Sequence, residues 1–164
     1  MNYFNTLDEE TFDFNSTAGN YDVVTLQSLK NQYNFLLEEV NEIGEGLEKK
    51  DLEEILDGVV DVLVVITGFA HQLENLGIRV DKAVERITKN NLSKFPLDED
   101  DSEINVVEVK KTTEKYKKEG VAISVSNRNG RYVFKDQNGK IRKPASFVPV
   151  ELSDLVQGIE LKDY

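Results

Sequence analysis

The chain has no cysteine among its 164 residues, so neither a disulfide framework nor a thiolate metal site can form. No basic-then-apolar segment follows Met1, where polar and acidic residues stand instead, and a protein that is not secreted is expected. The one long apolar run is too short to cross a bilayer and carries two acids, so no membrane partner is expected. Basic residues are in the minority, 20 Lys and Arg against 31 Asp and Glu, for a formal charge of −11. That balance argues against a general phosphate-backbone binder, and no nucleic-acid partner is expected. Histidine occurs once, at His71, among Ala70 and Gln72 on a helical pattern. It reads as a surface or interface residue rather than a catalytic one. No Ser-His-Asp set, Walker A loop or dinucleotide fingerprint stands in the sequence.

What is present centres on LEEILDGVVDVLVVITGFA, Leu52 to Ala70. Almost everything from Ile55 to Ile66 is aliphatic, yet Asp57 and Asp61 interrupt it. A carboxylate in apolar surroundings shifts its pKa, finds a partner or holds a cation.

The length predicts a single domain. Residues 1–21 lack apolar helical periodicity and read as an extended arm, with Phe4, Phe12 and Phe14 as anchors. Leu26, Leu29, Tyr33, Val40 and Ile43 recur at helical spacings, and this helix is expected to stop at Gly44 to Gly46. Asp51 followed by Glu54 resembles a capping box that opens a second helix, running to about Leu76. A third runs from near Asp81 towards Pro96, and residues 22–95 form the helical core. Residues 96–164 add an acidic linker (LDEDDSE), a helix from about Glu103 to Lys118 and a period-two stretch read as an antiparallel β-meander. A short helical turn is expected around Leu152 to Val156. The fold class is therefore mainly α, an antiparallel helix bundle with a small C-terminal β-meander.

The acids on the first two long helices are spaced to converge. Glu42 shares a face with Glu38 and Glu39, and Glu54, Asp57 and Asp61 recur at three and four. Consecutive helices joined by a short loop pack antiparallel, so the two acidic faces meet. Oxygen-only ligands at that density suit Mg²⁺ or Mn²⁺.

These elements resemble the all-α nucleoside triphosphate pyrophosphohydrolases, the MazG-like, dimeric dUTPase-like and phosphoribosyl-ATP pyrophosphohydrolase-like superfamily. The matching elements are Glu39-Val-Asn-Glu42, Glu54-Ile-Leu-Asp57 with Asp61 one turn later, NNLSKF (Asn90 to Phe95) and DQNGKIRKP. One departure is Gly58, where an alignment on Asp61 places the family's glutamate. The resemblance implies cleavage of a nucleoside triphosphate to the monophosphate and pyrophosphate. It further implies Mg²⁺ (or Mn²⁺) on Glu39, Glu42, Glu54, Asp57 and Asp61, catalytic roles for Glu38 and Glu39, and substrate contacts from Asn91 and Lys94. A homodimer or homotetramer in the cytoplasm, that of the host for a viral protein, is implied as well. The alternative from a different class is a non-catalytic nucleotide- or partner-binding module of the same fold.

Overall fold

The computed structural model describes residues 3–98 and 103–163. It is mainly helical, with a two-stranded antiparallel sheet towards the C-terminus. The helices are α1 (Tyr3–Thr17), α2 (Leu26–Lys49), α3 (Leu52–Asn75), α4 (Val80–Leu92) and α5 (Glu103–Lys118). The strands β1 (Ile123–Arg128) and β2 (Arg131–Asp136) follow, then a 3₁₀ turn at Ser153–Leu155, where a helical turn was expected. The acidic linker falls largely outside the described residues. Among the described residues no helix is long and apolar enough to cross a membrane.

Contacts divide the chain into two compact units, Met1–Val80 with Ser153–Tyr164, and Asp81–Leu152. The first is built on the α2–α3 hairpin. Thr25 caps α2 reciprocally with Ser28, their side chains and backbone N–H groups exchanging bonds of 3.1 and 3.0 Å. Asp51 caps α3 by accepting from the backbone N–H groups of Glu53 and Glu54. The expected box is only half made, because the Glu54 carboxylate turns away to Lys49. The tail returns to this unit, where the Lys162 carbonyl accepts from the Leu26 N–H at 2.7 Å.

Two expectations are overturned here. Residues 3–17 are a helix, not an extended arm. Its packed positions, Leu7, Thr11 and Asn15, do lie at i, i+4, i+8, but two of the three are polar, so a search for apolar periodicity passes over them. The second expectation placed the end of α2 at Gly44–Gly46. The helix runs on to Lys49 and closes at Lys50 in the left-handed region (φ 58°). Gly46 is needed for its smallness rather than its flexibility: a Cβ there would lie 3.0 Å from the backbone N of Ile55. Gly58 does the same one contact further along, where a Cβ would meet Ile43 Cγ1 at 2.9 Å and its backbone N at 3.2 Å. Two glycines thus let the helices approach until backbone nearly touches backbone, a tertiary gain that outweighs the helix penalty of about 1 kcal/mol per glycine.

In the second unit the turn Asn129-Gly130 takes both residues to positive φ (52° and 69°) and joins β1 to β2 in register. Phe134 is fully buried, and on α5 Thr112 and Tyr116 are buried as well. The expected meander is reduced to a hairpin, its third segment making a single bridge, Lys135 to Ile141. Asp136 explains why the chain turns instead of pairing further. Its buried carboxylate accepts from the N–H groups of Asn138 and Lys140 and from Arg142 Nε and Nη2, folding DQNGK into a closed loop.

Candidate functional site

The α2–α3 hairpin sets the acids. Gly46 against Glu54 and Ile55, Gly58 against Glu39 and Ile43, and Gln32 donating to the Val65 carbonyl at 2.8 Å fix an antiparallel register. Glu39 therefore falls on the α3-facing side of α2, with its carbonyl 3.5 Å from where a Gly58 Cβ would stand. Burial first, then the negative charges of Glu42, Asp61, Glu38 and Asp57, push the Glu39 carboxyl above the usual carboxylate range. Two of those neighbours lie on each helix, so the acidic faces meet as the spacing predicted.

The individual acids differ. Asp61 is half-buried, whereas Asp57, Glu38 and Glu42 are exposed, so the run around Asp57 and Asp61 is not a closed core. The aliphatic neighbours explain this. Leu52, Leu56, Val59 and Ile66 form one stripe of α3 that is itself exposed, and Asp57 and Asp61 fall away from that stripe. Glu54 is held by Lys49 Nζ at 2.6 Å, an ammonium that also reaches Glu45 at 3.4 Å. Among the described residues no three His, Cys, Asp or Glu side chains close into a group that could hold a metal ion. The donors match a hard cation in chemistry, all being oxygens under mutual repulsion, while Glu54 stands apart from them on its own lysine. Asn91 and Lys94 belong to the other unit, where Lys94 Nζ donates to Asn91 Oδ1 at 2.7 Å.

The sequence reading missed a second cluster. His71 is buried, 7% exposed, rather than a surface residue. Its Nε2 lies 2.7 Å from Asp8 Oδ1 and its Nδ1 lies 2.9 Å from the Tyr21 hydroxyl. The Phe12, Tyr21 and His71 rings pack with centroids 5.6 to 5.8 Å apart. Burial pushes the Tyr21 phenol up to about 12, so it keeps its proton throughout the working range. Thr11, Asn15, Gln32 and Gln72 extend this buried polar seam, in which only the Gln72 Oε1 atom has no bonding partner. The only trace of it in the sequence is small or polar residues four apart on two segments, Thr11/Asn15 and Gly68/Gln72, a spacing that hydropathy does not register.

No family model, curated protein or solved structure matches the chain. Function is therefore read from the site alone.

Proposed function

We propose that the chain is a Mg²⁺-dependent nucleoside triphosphate pyrophosphohydrolase, cleaving a (d)NTP to the (d)NMP and pyrophosphate. The observation that carries this reading is the Glu39 carboxyl, pushed up by burial and by four acids drawn from two helices. Such a cluster is unfavourable to folding, and a cation that neutralises it restores the balance. Glu39, Glu42, Asp57 and Asp61 would hold the ion, which supplies charge neutralisation for the triphosphate. Glu54 drops out of this set, since Lys49 already neutralises it. Water adds across the α–β anhydride bond, the monophosphate and pyrophosphate separate, and the proton of the water passes to a carboxylate. Glu38, exposed, outside that ligand set and one residue from Glu39, is the fitting acceptor. A cytoplasmic setting supplies the substrate.

The apolar stripes support self-association. Tyr33, Leu37, Val40 and Leu47 on α2 follow one another at four, three and seven, and all are exposed. Leu52, Leu56, Val59 and Ile66 on α3 repeat the pattern. A second copy covering both stripes completes a four-helix bundle, as homodimer or homotetramer. Sedimentation of the wild type beside Leu56→Asp tests it: a wild-type monomer refutes the assembly.

A non-catalytic nucleotide-binding module remains the second reading, favoured by the absence of a closed three-ligand group among the described residues. Pyrophosphate release from a panel of canonical and modified nucleotides, with Mg²⁺, Mn²⁺ or EDTA and an Asp61→Asn control, decides between them. Metal-dependent release lost in the control upholds the hydrolase. Folded, assembled protein that binds nucleotide without turnover upholds the module.

A further inference from the structure

The formal charge of −11 conceals a strong polarity along the chain. From Lys110 to Lys143 there are eleven Lys and Arg against three acids, a segment of +8. One of those acids, Asp136, is buried and taken up by Arg142 and two backbone N–H groups, so it does not offset the surface. The expectation of no nucleic-acid partner rested on the whole-chain charge, which this segment does not share.

The hairpin places three of these cations, Arg128, Arg131 and Lys135, on one face. In the register of β1 and β2, Ile123, Val125 and Asn127 pair with Asp136, Phe134 and Tyr132, and the full burial of Phe134 marks that face as the inner one. The outer face therefore carries Ser124, Ser126, Arg128, Arg131, Val133 and Lys135. Arg131 donates to the Phe95 carbonyl at 2.8 Å and is half-buried. Arg128, Lys135, Lys140 and Lys143 are exposed, and none has a carboxylate partner among the described residues. Lys49, Lys82 and Lys89, by contrast, each hold a glutamate. Five further exposed lysines, Lys110, Lys111, Lys115, Lys117 and Lys118, follow along α5 and deepen the positive potential of the same unit.

We propose that the outer face of this hairpin binds the phosphate backbone of a nucleic acid. Arg128 and Lys135 on the two-stranded ribbon, with Lys140 and Lys143 in the segment that follows it, are exposed cations of the kind that contacts phosphates, and a ribbon of this kind fits a nucleic-acid groove. The same face offers one apolar side chain, Val133, which is too little for the apolar core that a protein interface needs. Contacts of this kind position a backbone without reading bases. This surface is independent of the carboxylate site, so loss of turnover would leave it intact.

The test is fluorescence anisotropy of the full chain with labelled 20-nucleotide single-stranded and duplex DNA and RNA, across a salt series. Binding should weaken about a hundredfold between 50 and 200 mM salt, the loss expected for about four neutralised phosphates. The triple variant Arg128→Gln, Lys135→Gln, Lys140→Gln should lower the salt slope by about 3. Lys30→Gln with Lys162→Gln, in the acidic unit, should leave it unchanged. Absence of salt-dependent binding, or a triple variant that binds like the wild type with circular dichroism unaltered, overturns the proposal. Equal binding of polyglutamate would assign the face to acidic proteins and overturn it as well.

Discussion

The first unit carries nineteen acids against five Lys and Arg, a charge of −14, whereas the second carries twelve against fifteen, a charge of +3. They also bury opposite things. In the second unit an ordinary small core forms around Phe134, Tyr116 and Pro144. In the first, Leu29 is the one large apolar side chain among the described residues that is buried, and the seam between helices is built from Thr11, Asn15, Gln32, His71 and Gln72. Polar seams specify a register but contribute little net free energy, about 1 kcal/mol per hydrogen bond. Apolar packing in that unit comes from half-buried side chains such as Leu36, Ile43 and Ile55, while two apolar stripes face outwards. The difference teaches that one unit encloses its largest apolar side chain, whereas the other leaves much of its apolar surface facing outwards.

The largest effect expected from probing this contrast is catalytic. Asp61→Asn should lower metal-dependent pyrophosphate release at least about a hundredfold, while raising the melting temperature of the metal-free protein by relieving Glu39. Calorimetry beside the turnover assay checks both signs, and a metal-free variant that melts lower would contradict the repulsion. Gly58→Val should destabilise the first unit by about 3 kcal/mol, since its side chain meets Ile43 Cγ1 and backbone on the opposite helix. Urea unfolding followed at the first and second units separately, by hydrogen exchange, would localise that loss. Tyr21→Phe should cost about 1 kcal/mol, because it strips the hydroxyl from His71 Nδ1 inside the seam. A cycle with His71→Asn should show the two changes to be non-additive.

The smallest effect separates the units by pH. The folded pKa of Glu39 is raised, so the folded state binds the extra proton and the first unit gains stability as pH falls from that value through the ordinary 4.5. Asp136 runs the other way. Burial pushes its carboxyl up, but bonds from the Lys140 and Asn138 N–H groups and Arg142 outweigh this and hold it below the ordinary 3.8. Its contribution is present above the ordinary value and is lost as pH falls through the lowered one. Exchange protection measured from neutral to acid pH should therefore rise near Glu39 before it falls around the hairpin.

Much of this was legible in the residues. The i, i+3 and i+4 spacing of Glu39, Glu42, Asp57 and Asp61 fixed which faces would meet, and Asn129-Gly130 announced the hairpin turn. Helix α1 was not legible, because a polar packing stripe carries no hydropathy signal. Nor was the end of α2, where Gly46 answers to Ile55, nine residues on in α3, rather than to local propensity. Glu54 looked like a ligand from spacing alone, whereas in the fold its carboxylate is bonded to Lys49 Nζ across the interhelical corner. Side-chain reach is a property of three dimensions that spacing does not encode.

The bond from the Leu26 N–H to the Lys162 carbonyl has a consequence for biosynthesis. Residues 81–152 form a contiguous unit, whereas the acidic unit takes its last pieces from beyond residue 152. On a ribosome the basic unit has emerged whole while the acidic one still lacks the segment that seals the start of α2. The acidic unit therefore stays unsealed, with its apolar stripes exposed, until residue 162 has followed the whole of the basic unit out of the ribosome.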